Sequence, residues 1–110
     1  MIDGRVIRGV DCTDATFVRC FKRLSQDVQA QAREALKMLL FAELDAPPRV
    51  LHLHQLTNKK VPSVLREGLK VNAWTIHITR DDTYKASFTL EDGVAYMRLC
   101  DEHDIIDKRP

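Results

Sequence analysis

At Asp45-Ala-Pro-Pro48 the hydrophobic period of this chain changes from about 3.6 to 2, and that change limits the fold more than any other feature. Upstream, Phe17, Phe21 and Leu24 fall at i, i+4 and i+7, with Thr13-Asp14 as a helix N-cap. Ser25 is a second N-cap. After it Val28, Ala32, Ala35, Leu36, Leu39 and Leu40 repeat at helical spacing, while Gln29, Arg33 and Lys37 face away. The sequence predicts two helices joined by a very short turn, an α-hairpin. The second ends before Asp45, because the two prolines cannot continue it. Ahead of the hairpin, residues 5–12 (RVIRGVDC) read as a first strand.

Downstream the alternation predicts strands over residues 50–56, 65–71, 74–79, 84–90 and 94–100. Residues 57–63 (TNKKVPS) read as a polar loop, and Glu91-Asp92-Gly93 as a tight hairpin. Strands that follow one another by short turns pair antiparallel, and the helical hairpin must cover one face of their sheet. The expectation is a single α+β domain over residues 1–110, of order β-α-α-β-β-β with a further strand, and with residues 104–110 as a short tail. No element is left to cover the second face.

Period 2 decides which side chains that second face carries. Read strand by strand, with the large apolar residues turned to the helices, it carries His52, His54, Lys70, His77, Lys85, Tyr96 and Arg98. Leu99 is expected among the inward residues. His103 lies just past the last strand, in Leu99-Cys-Asp-Glu-His-Asp-Ile-Ile106. Imidazoles exchange protons near neutral pH, cations stabilise a pentacovalent phosphate, and a phenol stacks on a base. Such a face has the groups needed to cleave a phosphodiester. The competing reading is an ordinary solvated sheet face. For His103 three roles stay open: acid–base catalyst, metal ligand, or polar strand end. A zinc site from His52, His54 and His77 would still need a fourth ligand. Cys100 as a nucleophile has no base but His103.

Composition narrows the class. The hydrophobic share of 45% supports one core without staples. Three cysteines without CxxC spacing argue against a disulfide framework and a zinc finger, and fit a reduced, cytoplasmic setting. The opening MIDGRVIRGVD has no apolar core of a signal peptide, and Met38–Ala42 is too short an apolar run to span a membrane. The net charge of +1 says little, but its distribution is uneven. Residues 49–85 hold 7 basic and 3 acidic side chains, whereas residues 86–110 hold 3 and 6. The basic middle is either a phosphate-binding surface or a solvated one.

Four stretches resemble the RelE/ParE toxin superfamily of bacterial toxin–antitoxin systems. They are Phe17-Val-Arg-Cys-Phe-Lys-Arg-Leu24, Leu51-His-Leu-His-Gln-Leu56, Leu69-Lys-Val-Asn-Ala-Trp-Thr-Ile76 and the ending from Arg98 to Ile106. The resemblance implies a small toxin that cuts mRNA on the ribosome through the RNA 2′-hydroxyl, with no metal or other cofactor. It implies catalytic roles for Lys70, His103, His54 and His77. Lys59, Lys60, Arg66, Lys85, Tyr96 and Arg98 would hold the RNA. The implied protein partner is a cognate antitoxin. Two positions depart from the family pattern: Thr75 stands in place of an arginine, and Asp107 in place of an aromatic residue. They motivate the alternative of an inert or gyrase-directed relative that acts by binding protein.

Overall fold

The computed structural model describes residues 6–110. Strand β1 (Gly9–Asp11) leads into helices α1 (Ala15–Arg23) and α2 (Gln26–Leu39). A single 3-10 turn (Arg49–Leu51) precedes strands β2 (His54–Pro62), β3 (Lys70–His77), β4 (Tyr84–Glu91) and β5 (Val94–Glu102). A short helix, α3 (His103–Lys108), follows. The strands form one sheet in the order β1-β5-β4-β3-β2.

The helical hairpin forms where the capping residues place it. Asp14 accepts from the Phe17 amide at 3.1 Å and Ser25 from the Val28 amide at 3.3 Å. The Gln29 side chain donates to the carbonyls of Phe21 and Leu24, tying the end of α1 to α2. The second helix stops at Leu39, short of the prolines. Phe41 takes a left-handed backbone, and its amide donates to Ile7, whose own amide donates to Ala42. Pairing with the strand segment before β1 therefore ends α2 earlier than the prolines require.

The sheet is mixed, not wholly antiparallel: β1 runs parallel to β5, with Gly9 opposite Val94. These strands are far apart in sequence, so no hairpin dictates their direction. The other three pairings are antiparallel. The β4–β5 turn is the expected one, with Asp92 and Gly93 both at positive φ.

Three predicted segments differ. Residues 50–56 are not a strand: Arg49–Leu51 forms the 3-10 turn, His52 is left-handed, and β2 begins at His54. The polar stretch after Leu56 is a bulge inside β2, where Leu56 faces Ala73 and Lys60 faces Asn72, leaving 57–59 unpaired. Residues 65–71 and 74–79 do not form two strands. One continuous β3 runs Lys70–His77, with 63–69 as the hairpin loop before it. A buried Glu91 carboxylate pins that loop by accepting from the Ser63 hydroxyl, the Val64 amide and Thr89 Oγ1.

One face of the sheet packs on the hairpin. Ile7, Phe17, Ala35, Leu39, Leu51, Ile76, Phe88 and Met97 are buried together there, and Trp74 stacks on its cross-strand partner Phe88. The second face is not left open as expected. Helix α3 lies over β4 and β5 and buries Ile106 completely, worth about 2 kcal/mol. Thr75, Ser87 and Thr89, polar residues of that face, are buried too. The tail expected over 104–110 is thus a packed element. A bulge in β5 shifts the register between Ser87 and Phe88, so that Leu99 pairs with Ser87 on this face, against the inward placement expected for it.

Candidate functional site

Three imidazoles meet where β3 ends under α3. The rings of His52 and His77 are stacked, with centroids 4.2 Å apart and 24° between planes. His103 approaches His77 edge-on at 6.0 Å. They come from three elements: the residue after the 3-10 turn, the last residue of β3 and the first of α3. On β4, Lys85 pairs across from His77 and so faces the same side. The Asp107 carboxylate joins the set. Its Oδ1 lies 2.8 Å from Lys85 Nζ and its Oδ2 3.4 Å from His103 Nδ1. Asp104 Oδ1 lies 3.1 Å from the same nitrogen.

The environment of His77 is the most perturbed. Burial lowers its pKa, and the nearby His52 and Lys85 lower it further, with a smaller push from His103. Asp82, at 3.6 Å from His77 Nδ1, opposes them. At neutral pH this ring is therefore biased to the neutral form that can accept a proton. His103, with Nδ1 against two carboxylates, has its ring oriented and leaves Nε2 for proton transfer. Lys85 supplies a cation whose side chain is only 11% exposed, where charge is weakly screened. Beneath α3 on the same face, Ser87 Oγ is buried without a hydrogen-bond partner among the described residues.

Of the residues expected to act, His77 and His103 are brought together, and Lys85, expected to hold RNA, joins them. His54 is exposed on the edge strand opposite Thr75, on the same face, and the ring stacked on His77 is that of His52. Lys70 does not join them. In a continuous β3 it shares the side of Asn72, Trp74 and Ile76, opposite to His77, and lies about 23 Å away along the strand. Sequence reasoning assigns no catalytic part to His52, Asp107 or Asp104, which the structure places in the cluster. Alternation puts His52 on this face with His77, although His52 reaches it from a turn and not from a strand.

The expected RNA-binding residues divide. Lys59, Lys60 and Arg98 line one groove between the β2 bulge and the C-terminal segment, together with two residues outside that expectation, Lys108 and Arg109. Lys59 Nζ donates to the Lys108 carbonyl and Arg98 Nε to that of Pro110. Tyr96 is half-buried opposite Thr89, four residues along β4 from Lys85. Arg66 stands apart, exposed in the 63–69 loop, its amide donating to Ser63 Oγ.

Cys100 is packed in the core, and burial pushes its thiol up to about 12, which removes it as a nucleophile. Among the described residues no three His, Cys, Asp or Glu side chains converge as metal ligands, and the zinc alternative of His52, His54 and His77 does not assemble. No helix among these residues is long and apolar enough to cross a membrane. Comparison with family models, curated proteins and solved structures returns no match.

Proposed function

We propose that this protein is a metal-independent endoribonuclease, a toxin of the RelE/ParE-like kind that cuts mRNA on the ribosome and is restrained by a cognate antitoxin in the cytoplasm. The observation that carries the reading is the pairing of His77, biased to its neutral form, with a carboxylate-oriented His103 beside Lys85. The order β-α-α-β-β-β-β-α, with the helical hairpin on one face, supports the fold assignment.

The chemistry follows from the positions. Neutral His77 takes the proton of an RNA 2′-hydroxyl as that oxygen attacks the adjacent phosphorus. His103, as general acid, gives a proton to the departing 5′-oxygen. The products are a 2′,3′-cyclic phosphate and a 5′-hydroxyl, and no outside reagent is consumed. Lys85 stabilises the extra negative charge on phosphorus once the phosphate displaces Asp107 from it. The groove of Lys59, Lys60, Arg98, Lys108 and Arg109 holds neighbouring phosphates.

Purified protein incubated with ribosomes on a defined message should yield fragments ending in cyclic phosphate. His77→Ala and His103→Ala should each slow cleavage by about 10²–10⁴-fold while the protein stays folded. Undiminished cleavage by a folded His103→Ala protein would remove the assignment.

One observation favours the second reading, a relative that acts by binding a protein such as gyrase. The cation of the active face is already neutralised by Asp107, and α3 covers the sheet around it. Inhibition of supercoiling by the purified protein, without RNA cleavage, would select that reading.

A further inference from the structure

The ring that touches His77 most closely belongs to a residue with no part in the cleavage chemistry above. His52 is stacked on it at 4.2 Å. Its backbone is left-handed, at φ 47° and ψ 49°, a conformation that residues with a side chain seldom adopt. The chain around it leaves little choice. Pro48 caps the 3-10 turn and accepts from the Leu51 amide, and the His52 amide donates to Arg49. Leu51 before it is fully buried in the core, and Leu53 after it packs against the same core. Between these two anchored leucines the left-handed His52 turns the chain into β2, and its ring comes to lie on His77. Strained backbone held by its surroundings is characteristic of functional positions.

We propose that His52 is a positioning residue, whose stacked ring holds the His77 imidazole in place for proton transfer. The proposal rests on the endoribonuclease reading for its consequence in catalysis, but not for its effect on His77 itself. Two stacked imidazoles in van der Waals contact do not both take a proton readily. A charge on the exposed His52 ring discourages one on His77. Its ring also shields one face of His77 from water. The other charged groups around His77 come from every neighbouring element. They are Lys85 on β4, Asp82 in the β3–β4 turn, and His103 with its partners Asp104 and Asp107 on α3. Glu34 on α2 and Arg80 line the cavity that His77 borders. None of these stacks on the ring, so none substitutes for His52.

The test is an NMR titration of all four histidine rings in the full chain, for the wild type, His52→Phe and His52→Asn. Phenylalanine keeps the stack and removes the charge. Asparagine tolerates the left-handed backbone and removes the ring, so it stays informative if the larger substitution disturbs folding. In the wild type, the His77 midpoint should lie below the ordinary histidine value. In His52→Phe the midpoint should move up, and in His52→Asn it should move up further. The acid limb of kcat/KM for cleavage should move by the same interval as the His77 midpoint. An unchanged His77 midpoint in both variants would overturn the proposal. Shifted midpoints in a chain that never cleaves RNA would leave the role of His52 standing and remove the endoribonuclease reading.

Discussion

Asp107 shows how closely the groups of this site depend on one another. One carboxylate holds Lys85 with one oxygen and faces His103 with the other, so the cation and the oriented ring share a partner. His77 neighbours both, with its pKa held below the ordinary value, chiefly by burial. Stability follows the same ring. The folded state resists protonating His77, whereas the unfolded chain accepts the proton at about pH 6.5. The stability contributed by keeping the ring neutral is present above that pH and is lost as the pH falls toward the folded value. Unfolding midpoints in urea should therefore drop between neutral pH and pH 5, and His77→Gln should flatten that drop. A wild-type midpoint that stays level over this interval would contradict the environment described for His77. Much of the site is legible from period 2, which places His77 and Lys85 on one face and His103 at its rim. Alternation misplaces Lys70, because two short strands would each have their own inward set. One continuous β3 has only one such set, and burial of Trp74 and Ile76 decides it.

At the scale of elements, α3 has the largest effect on the site. Its six residues deliver His103 and Asp107, bury Ile106 and lie over β4 and β5. In the sequence this stretch reads as a tail, because six residues span less than two helical turns and show no period. The two helices of the hairpin are legible for the opposite reason, having longer apolar faces and recognisable caps. The turn before β2 is not, since Val50-Leu-His-Leu alternates like a strand while Pro47-Pro48 and buried Leu51 force a 3-10 turn. Ile106→Ala should destabilise the protein by about 2–5 kcal/mol, as expected for emptying a buried isoleucine site. Amide exchange at the backbone of α3 should rise with it, and RNA cleavage should fall because His103 is no longer held. A loss under about 0.5 kcal/mol, the range of ordinary surface substitutions, would mean that α3 is not packed as described.

Over the whole molecule, charge is sorted by the fold rather than by the sequence. The basic middle of the chain supplies Lys59 and Lys60 to a groove that Arg98, Lys108 and Arg109 complete from the acidic last third. Acidic residues of that last third are turned to internal work: Asp107 pairs with Lys85, and Glu91 pins the 63–69 loop. A net charge of +1 thus conceals a cationic groove that only the tertiary structure brings together. If the groove follows an RNA backbone, Lys59→Ala and Arg109→Ala should each weaken binding of single-stranded RNA regardless of sequence. Each should lower the salt dependence of log K by about 0.7 for every phosphate no longer neutralised. Variants that leave the salt dependence unchanged would place the RNA elsewhere. The proposed cleavage of RNA by the imidazole cluster is the claim on which the functional account depends. Its most direct test is induced expression of the wild type and His77→Ala in a bacterial host, with labelled precursors reporting translation and DNA synthesis and with message ends mapped. Translation should stop and messages should be cut in the wild type, and His77→Ala, expressed equally, should do neither. Intact messages with arrested DNA synthesis, or growth unaffected by the wild type, would contradict the assignment.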